Sequence, residues 1–303
     1  MMLDPTIEQD IKEYLDVLSI ERRLSDHTIS NYQRDIFKLI DFGNQYSLNF
    51  WHGLNAQQAR RFAAKLHASG LNPKSIQRIL SACRSLCHFL IERRRILQNP
   101  FIDVRAPKAN KTLPKTLTAE QLSQLIEIDA DDPISLRDQA FMELFYSSGL
   151  RLSELCQLNL NDLMFDQSLV RVTGKGNKMR DIPIGSLAIK SLKQWLIARN
   201  SLPLTDFEAV FVSKWGRRIS PRNIQQRLKY WAKKQGLDIN ITPHMLRHSF
   251  ASHMLESSGE LRSVQELLGH ANISTTQIYT HLDFQHLAEV YDQAHPRAKK
   301  DNK

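Results

Sequence analysis

Residues 242–282 read TPHMLRHSFASHMLESSGELRSVQELLGHANISTTQIYTHL and open with the signals of a helix start. Thr242 can cap a helix, and Pro243 suits the first helical position, where a missing N–H costs little. His244 and Arg247 lie three positions apart and so share one face of the first turn. Because helix starts favour anions, the pattern predicts a helix that offers this pair to an anion. The apolar residues expected to face the core are Leu246, Phe250, Met254 and Leu255.

The second half of the stretch adds two candidate residues. After a polar break at residues 257–260 (SSGE), apolar spacing predicts a second helix, which Gly269 ends. His270 then stands at a helix C-terminus, and Tyr279 follows nine residues later.

Five short motifs resemble those of one family. Residues 244–248 (HMLRH), 267–270 (LLGH) and 278–281 (IYTH) resemble the pattern of the tyrosine recombinases, the phage integrase family. Residues 149–155 (GLRLSEL) and 174–180 (GKGNKMR) resemble its upstream motifs, so the resemblance covers nearly the whole chain. It implies a mainly α-helical, two-domain DNA clamp. The parts are an N-terminal four-helix core-binding bundle and a mixed α/β catalytic domain, mostly helical with a small antiparallel sheet.

The resemblance also implies a catalytic set, and this sequence has no substitution in it: Arg151, Lys175, His244, Arg247, His270 and Tyr279. In this assignment Tyr279 attacks a phosphodiester and forms a 3′-phosphotyrosine. A phenol titrates near pH ~10, so it needs a base or a strongly cationic site. His244 would take the phenolic proton, and Lys175 would protonate the departing 5′ oxygen.

The two arginines suit the charge that develops on the phosphate. Arg151 and Arg247 can each donate two hydrogen bonds in a fork to the non-bridging oxygens, and His270 would donate to one of them. Each residue taken singly has a commoner role: Arg151 would pair with Glu154, a turn lysine is usually solvated, and a lone tyrosine is usually in a core. The order and spacing of all six favour the catalytic assignment.

The sequence indicates no cofactor. It has no P-loop, dinucleotide fingerprint or carboxylate cluster, and a transesterification that keeps the bond energy in phosphotyrosine needs neither ATP nor magnesium. His244 and His248 have the i, i+4 spacing of metal ligands. The metalloprotease form would place Glu after the first histidine, whereas Met245 and Arg247 intervene here, so we expect no metal site.

The charge distribution favours a polyanionic partner. The chain of 303 residues carries 41 Lys and Arg against 32 Asp and Glu, a formal charge of +9. Residues 42–102 hold nine of these basic residues and one acid, Glu92, whereas residues 1–41 are acid-rich. A solvated basic surface is the alternative. The residues predicted to contact DNA are Arg60, Arg61, Lys74, Arg78, Arg84, Lys108 and Lys111.

Apolar spacing divides the chain into two domains and a linker. Residues 1–98 are predicted to form the core-binding domain, with helices from Pro5 to Arg23, from a cap at Thr28 to Tyr46, from a cap at Asn55 to about Gly70, and from Pro73 to Arg95. Residues 99–116 are basic and punctuated by proline, as in an interdomain linker. Residues 117–303 are predicted to be the catalytic domain.

Within the second domain, local signals predict several elements. Thr118 with Gln121 has the capping-box pattern, and Asp132 opens a longer helix that Gly149 ends. The predicted hairpin pairs strands 169–173 and 179–184, residues 210–212 are expected to add a third strand, and residues 222–235 form a basic helix. By resemblance, residues 283–303 form a segment exchanged between protomers.

Three cysteines, Cys83, Cys87 and Cys156, form no disulfide framework and indicate a reducing compartment. Since no apolar run reaches the ~20 residues of a membrane span, we expect a soluble cytoplasmic protein, associated with the nucleoid, without membrane insertion.

The expected function is site-specific recombination of double-stranded DNA. The resemblance implies a dif-type site, resolution of chromosome dimers during cell division, a related partner recombinase in a heterotetramer, and a DNA translocase of the division septum. The alternatives of the same chemistry are a mobile-element integrase and a type IB topoisomerase. A DNA-binding protein without catalysis is disfavoured by Tyr279 in its constellation.

Overall fold

The computed structural model describes residues 5–22, 24–48, 50–108, 116–174 and 178–258. The predictions for Lys111, Lys175, His270 and Tyr279, and for the helices after residue 258, fall outside these residues. The chain divides into two compact units, Met1–Thr112 and Leu113–Lys303.

The first unit is built from helices around apolar stripes. Its elements are α1 (Pro5–Asp16), a π-helix (Val17–Glu21), α2 (Asp26–Gln45), α3 (Phe50–Gly53), α4 (Ala56–Ala68) and α5 (Pro73–Glu92). Helix α5 buries an apolar stripe that includes both Cys83 and Cys87. Asn55 caps α4 by accepting from the backbone N–H groups of Gln57 and Gln58.

Three helix boundaries in this unit differ from the prediction. The first α-helix ends at Asp16 and continues as the π-helix, whose wider turn buries Leu18 and leaves Ile20 exposed. Ser25, and not Thr28, caps α2, because the Ser25 hydroxyl accepts from the Thr28 N–H and its backbone is extended. The fourth long helix stops at Glu92, since Arg94 takes a left-handed conformation (φ 58°).

The second unit combines helices with a small sheet. Its helices are α6 (Ala119–Ile126), α7 (Pro133–Ser148), α8 (Leu152–Gln157), α9 (Ser186–Arg199), α10 (Pro221–Lys234) and α11 (Pro243–Ser258). The predicted capping box at Thr118 and Gln121 is confirmed, as are the Asp132 cap and the left-handed Gly149 at the end of α7. The helices α8 and α9 were not predicted.

The sheet has three antiparallel strands in the order β1 (Leu163–Met164), β2 (Leu169–Thr173) and β3 (Met179–Pro183). The predicted hairpin is therefore confirmed, but the third strand was predicted wrongly at residues 210–212. There the Val210 N–H donates to the Leu158 carbonyl, and Val212 forms only an isolated bridge with Arg218. Those backbone groups are thus used outside the sheet.

The buried helix α7 is the centre of this unit, and it packs against α9 and α11. The inward residues predicted for α11 are correct at Leu246, Phe250 and Met254, but Leu255 is 36% exposed. The helix also runs to Ser258, so Ser257 and Ser258 belong to it and not to a break. In the described part of the chain, no helix has the length and apolar character needed to cross a membrane.

Together these features confirm a mainly helical fold with a small antiparallel sheet.

Candidate DNA-cleavage site

Arg151 lies where α7 gives way to α8. Gly149 ends α7 in a left-handed conformation (φ 58°, ψ 30°), which a side chain would disfavour, and its N–H donates to the Phe145 carbonyl. The chain then turns, and Arg151 becomes the N-cap residue of α8. Glu154 accepts the Arg151 backbone N–H at 2.8 Å and its guanidinium Nη1 at 2.8 Å. The motif GLRLSEL thus folds into a turn that fixes Arg151 at both its backbone and its side chain.

Arg247 reaches the same turn from α11. The Thr242 hydroxyl accepts from the Met245 N–H at 3.3 Å, so this helix starts where the sequence predicted. Arg247 Nη1 then donates to the carbonyl oxygen of Gly149, two residues before Arg151. The end of α7 and the first turns of α8 and α11 therefore meet at one place.

Two further contacts hold α11 in this position. The Ser249 hydroxyl accepts the Leu117 N–H at 2.8 Å. The His253 Nδ1 and the Tyr146 hydroxyl of α7 are 3.0 Å apart, and both side chains are buried. The second and third turns of α11 are thus anchored to Leu117 and to α7.

The arginines are close enough to affect each other's charge. Burial is the largest cause that lowers the pKa of Arg247, and together with the neighbouring Arg151 and Arg180 it brings that pKa to about 10, against the opposing effect of Glu154. Burial acts to raise the pKa of Glu154, but hydrogen bonds from Arg180 and Arg151 outweigh it and the pKa lies below the usual value. One ionised carboxylate thus stands among three guanidinium groups, and the surplus positive charge favours an anion.

Arg180 and Glu154 are the site residues that the motif assignment did not include. Arg180 pairs across the sheet with Val172, on the face that buries Val170 and Ile182. The signal was present in the strand MRDIP, because strict alternation places Arg180 on the same face as Ile182. An arginine on the buried face of a strand requires a buried acceptor, and Glu154 is that acceptor.

The stem of the β2–β3 hairpin lies against this ion pair. Gly174 N–H donates to the Lys178 carbonyl at 2.8 Å and closes the stem. A Cβ atom at Gly174 would stand 3.2 Å from Arg180 Nη1 and 3.9 Å from Glu154 Oε1. Gly174 and Lys178 flank residues 175–177, so the stem of the loop that contains Lys175 is beside the arginines.

His244 lies on the exposed side of the first turn of α11. Its Nε2 atom is 3.1 Å from Nε2 of His248, one helical turn on, so one ring donates and the other accepts. Burial, His248 and Arg247, in that order, lower the pKa of His244. A histidine that stays neutral at physiological pH can accept a proton. Among the residues that the structure describes, no group of three or more His, Cys, Asp or Glu side chains could hold a metal ion.

The residues predicted to contact DNA occupy varied positions in the first unit. Arg60, Lys74 and Lys108 are exposed. Arg61 stacks on the Tyr46 ring, with its guanidinium carbon 4.0 Å from the ring centroid. Arg84 donates to the carbonyl oxygens of Phe101 (3.0 Å) and Val104 (2.7 Å), so its guanidinium braces the chain after α5.

Two ranges of the chain match known protein families. Residues 115–286 match the phage integrase family, and residues 11–94 match the N-terminal SAM-like domain of phage integrases. The tyrosine recombinase XerC of Actinobacillus pleuropneumoniae serotype 7 is 50% identical over 295 residues, which span 97% of this chain and 96% of that protein. The chain belongs to the phage integrase family of tyrosine recombinases.

A second relative agrees in sequence, and a solved structure agrees in fold. The tyrosine recombinase XerC of Escherichia coli O127:H6 is 48% identical over 294 residues, covering 97% of this chain and 98% of the relative. The solved structure of the XerH site-specific recombinase bound to palindromic difH substrate has a TM-score of 0.70 at 23% identity, covering 93% of this chain and 84% of that one. The family resemblance is confirmed, and the recombinase is a DNA strand-exchange enzyme.

Proposed function

We propose that this recombinase cuts and rejoins double-stranded DNA at a dif-type site and thereby resolves chromosome dimers during cell division. Support comes from relatives of nearly equal length that carry the name XerC at about half identity. The likeness in fold to a recombinase bound to difH substrate is consistent with this. Such an enzyme works on the chromosome in the cytoplasm, with a related partner recombinase in a heterotetramer and a septal DNA translocase as activator.

The observation that carries the proposal is the meeting of Arg151 and Arg247 at the junction of α7, α8 and α11. The positive charges of the two guanidinium groups repel each other. An anion bound by both groups would relieve that repulsion. A scissile phosphate supplies that anion. Its two non-bridging oxygens would be bound by the two forks, and the interaction strengthens as charge grows in the transition state.

In the proposed reaction, the phenolic oxygen of Tyr279 attacks phosphorus while His244 takes the phenolic proton. The bond from phosphorus to the 5′ oxygen breaks, and Lys175 gives that oxygen its proton. His270 donates to a non-bridging oxygen. The product is a 3′-phosphotyrosine and a free 5′ hydroxyl, and the reverse attack by another 5′ hydroxyl exchanges strands. The pKa of His244 is lowered, which suits its proposed role as the base.

A suicide duplex tests this assignment. The duplex carries a nick close to the scissile phosphate. After cleavage, the short fragment with the free 5′ hydroxyl diffuses away, so the covalent protein–DNA adduct accumulates. Wild-type protein should form the adduct, whereas Tyr279→Phe should form none and keep nearly the same DNA affinity, because it loses one hydroxyl and no charge. Adduct at the wild-type level in Tyr279→Phe would remove Tyr279 as the nucleophile. Sequencing the chromosomal DNA that co-purifies as adduct in the producing cell tests the dif-type site.

A further inference from the structure

A buried carboxylate lies beneath exposed cations in the first unit, far along the chain from the catalytic residues. Asp35 of α2 is 1% exposed, and its Oδ2 atom accepts a hydrogen bond from Nη1 of Arg78 of α5. The side chain of Arg78 remains 45% exposed. Arg34 and Lys38 are the other cations that act on the Asp35 carboxylate. Asp35 therefore anchors the inner edge of a guanidinium whose outer edge faces solvent.

Two further cations lie against Tyr46, the residue that follows α2. At the far end of the helix, Arg61 stacks on Tyr46, and Nζ of Lys65 is 5.1 Å from the same ring centroid. Asp35 and Tyr46 are eleven positions apart, which corresponds to about 16 Å of helix. Along one strand of B-DNA, that length spans roughly five phosphates. The five cations Arg34, Lys38, Arg61, Lys65 and Arg78 thus extend over the length of a duplex contact, and the exposed acid Asp41 lies between them along α2.

Burial of the Asp35 carboxylate opposes folding more than its pairing with Arg78 and Lys38 favours it. In the described chain, Asp35 Oδ1 is buried without a hydrogen-bond partner. Burial raises the pKa of Asp35 despite Arg78 and Lys38. A raised carboxyl pKa means that the ionised form is disfavoured in the folded state, so this group opposes folding once the pH exceeds that pKa. Asp10 provides a contrast, because its two oxygens accept from Trp51 Nε1 (2.8 Å) and Arg95 Nε (3.1 Å).

We propose that Asp35 is a positioning residue for DNA sequence recognition, which holds the Arg78 fork in one orientation toward a base edge. The inference rests on the proposed function, because it assumes that the recombinase binds a specific DNA site. An arginine that only neutralises a phosphate needs no fixed orientation. An arginine that recognises a base by two parallel hydrogen bonds needs a fixed orientation. A carboxylate that restrains the arginine before binding lowers the entropy lost on binding.

The direction in which one substitution changes DNA affinity separates this role from ordinary electrostatics. Asp35→Asn removes a negative charge from a surface that approaches a polyanion, so simple Coulomb attraction predicts tighter binding to every duplex. If Asp35 orients Arg78, the same substitution weakens binding to the specific site and leaves other DNA bound as well or better. The expected loss of specific affinity is about 5- to 100-fold, the value of one bidentate base contact.

The experiment uses the full chain and two duplexes of equal length and composition. One carries the half-site that the wild-type recombinase itself selects from random-sequence duplexes, and the other carries a scrambled sequence. Dissociation constants are measured for wild type, Asp35→Asn, Arg78→Ala and the double variant. In the Arg78→Ala background, Asp35→Asn should have no further effect on the specific half-site, because its effect passes through Arg78. A structural role would give additive losses instead.

Two more variants keep the result interpretable. Arg78→Lys keeps the charge and loses the fork, so it should weaken only specific binding. Asp10→Asn is the matched control, since it removes a 1% exposed carboxylate beneath an arginine that is 47% exposed. It should not reduce the ratio of specific to scrambled affinity. Equal effects of Asp35→Asn on both duplexes, or the same ratio change in Asp10→Asn, would overturn the inference. Failure of the wild type to select any sequence would instead overturn the proposed function.

Discussion

Arg180 and Glu154 form a two-point ion pair, with Nη1 2.8 Å from Oε1 and Nη2 3.0 Å from Oε2. The same two carboxylate oxygens hold the side chain and the backbone of Arg151. Arg180 thus connects the hairpin to the arginine proposed to bind the phosphate. We predict that Arg180→Ala slows single-turnover cleavage of the suicide duplex by about 10- to 100-fold, because a small displacement of a catalytic group is costly. Its DNA affinity should change much less.

Arg171→Ala is the control for hairpin stability. Arg171 and Asp181 make a two-point ion pair on the exposed face of the same two strands, at 2.8 and 2.9 Å. Exposed pairs contribute about 0–1 kcal/mol, so this variant should cleave within about threefold of wild type. If both variants lose the same rate, general loosening of the hairpin explains the loss and the link from Arg180 to Arg151 does not.

The lowered pKa of Arg247 predicts a conflict between stability and activity. The folded pKa of about 10 lies below the ordinary value, so the charged form is disfavoured on folding. For a basic group this opposition to folding is fully present at neutral pH and fades as the pH rises through about 10. Arg247→Met should therefore unfold at an equal or higher temperature than wild type at pH 7 without DNA, yet lose most of its cleavage.

Thermal unfolding at several pH values tests whether the charge of Arg247 opposes folding. The stability difference between Arg247→Met and wild type should shrink between pH 9 and pH 10.5. A variant that is much less stable at pH 7 would show that the hydrogen bond to the Gly149 carbonyl outweighs the cost of the buried charge.

The proposed general acid can be tested by changing the leaving group. Lys175→Ala should slow cleavage of an ordinary phosphodiester by roughly 10²- to 10⁴-fold. A substrate with sulfur at the 5′ bridging position should restore most of that rate, since a thiolate leaves without a proton. Arg151→Ala serves as the comparison, because loss of a phosphate-binding fork should not be rescued by sulfur. Equal rates of the Lys175 variant on both substrates would remove Lys175 as the acid.

The residues after Tyr279, the proposed nucleophile, are predicted to link protomers. Phe284, Leu287, Ala288 and Tyr291 have helical spacing, and so short a helix needs a surface to dock on. A chain that ends after Asp283 should bind one half-site as the full chain does and lose the stimulation of cleavage by the partner recombinase. A chain that ends after Pro296 keeps the apolar stripe and should keep the stimulation. Unfolding of the shorter chain, or full recombination by it, would contradict the exchange of this segment.

Local signals predicted helix starts better than they predicted packing. Asn55, Thr118 and Asp132 cap the helices that follow them, because capping depends only on the next few residues. The start of α9 carried no such signal, since Gly185 offers no side chain as a cap. The error at residues 210–212 has a different cause: an apolar triplet can be buried by loop pairing as well as by a sheet, and only the tertiary structure distinguishes them.

The candidate site was partly predictable for the same reason. The motifs placed Arg151 and Arg247, but their meeting through Gly149 joins residues 98 positions apart and follows from the packing of α11 on α7. Arg180 was readable from strand alternation once the hairpin was predicted. The role of Glu154 in joining two arginines could not be predicted from the sequence, because its pairing with Arg151 alone satisfied the local pattern.

The last prediction concerns the buried acid that joins α7 to α10. Asp138 is fully buried: Oδ1 accepts two bonds from Arg137, and Oδ2 accepts from Trp231 Nε1 (2.8 Å) and from Arg227. Asp138→Asn would leave Arg137, 2% exposed, without its anion, so we expect a loss of about 3–5 kcal/mol in the free energy of unfolding. Urea unfolding measures this loss, with Asp181→Asn as the control: Asp181 is half-buried and its partner Arg171 is exposed, so this variant should lose under about 1 kcal/mol. Cleavage by the folded fraction should stay near wild type, since the residues that donate to Asp138 are Arg137, Arg227 and Trp231, and none of these is assigned to the site. A large loss of rate in fully folded protein would show that α10 helps to set the position of the site.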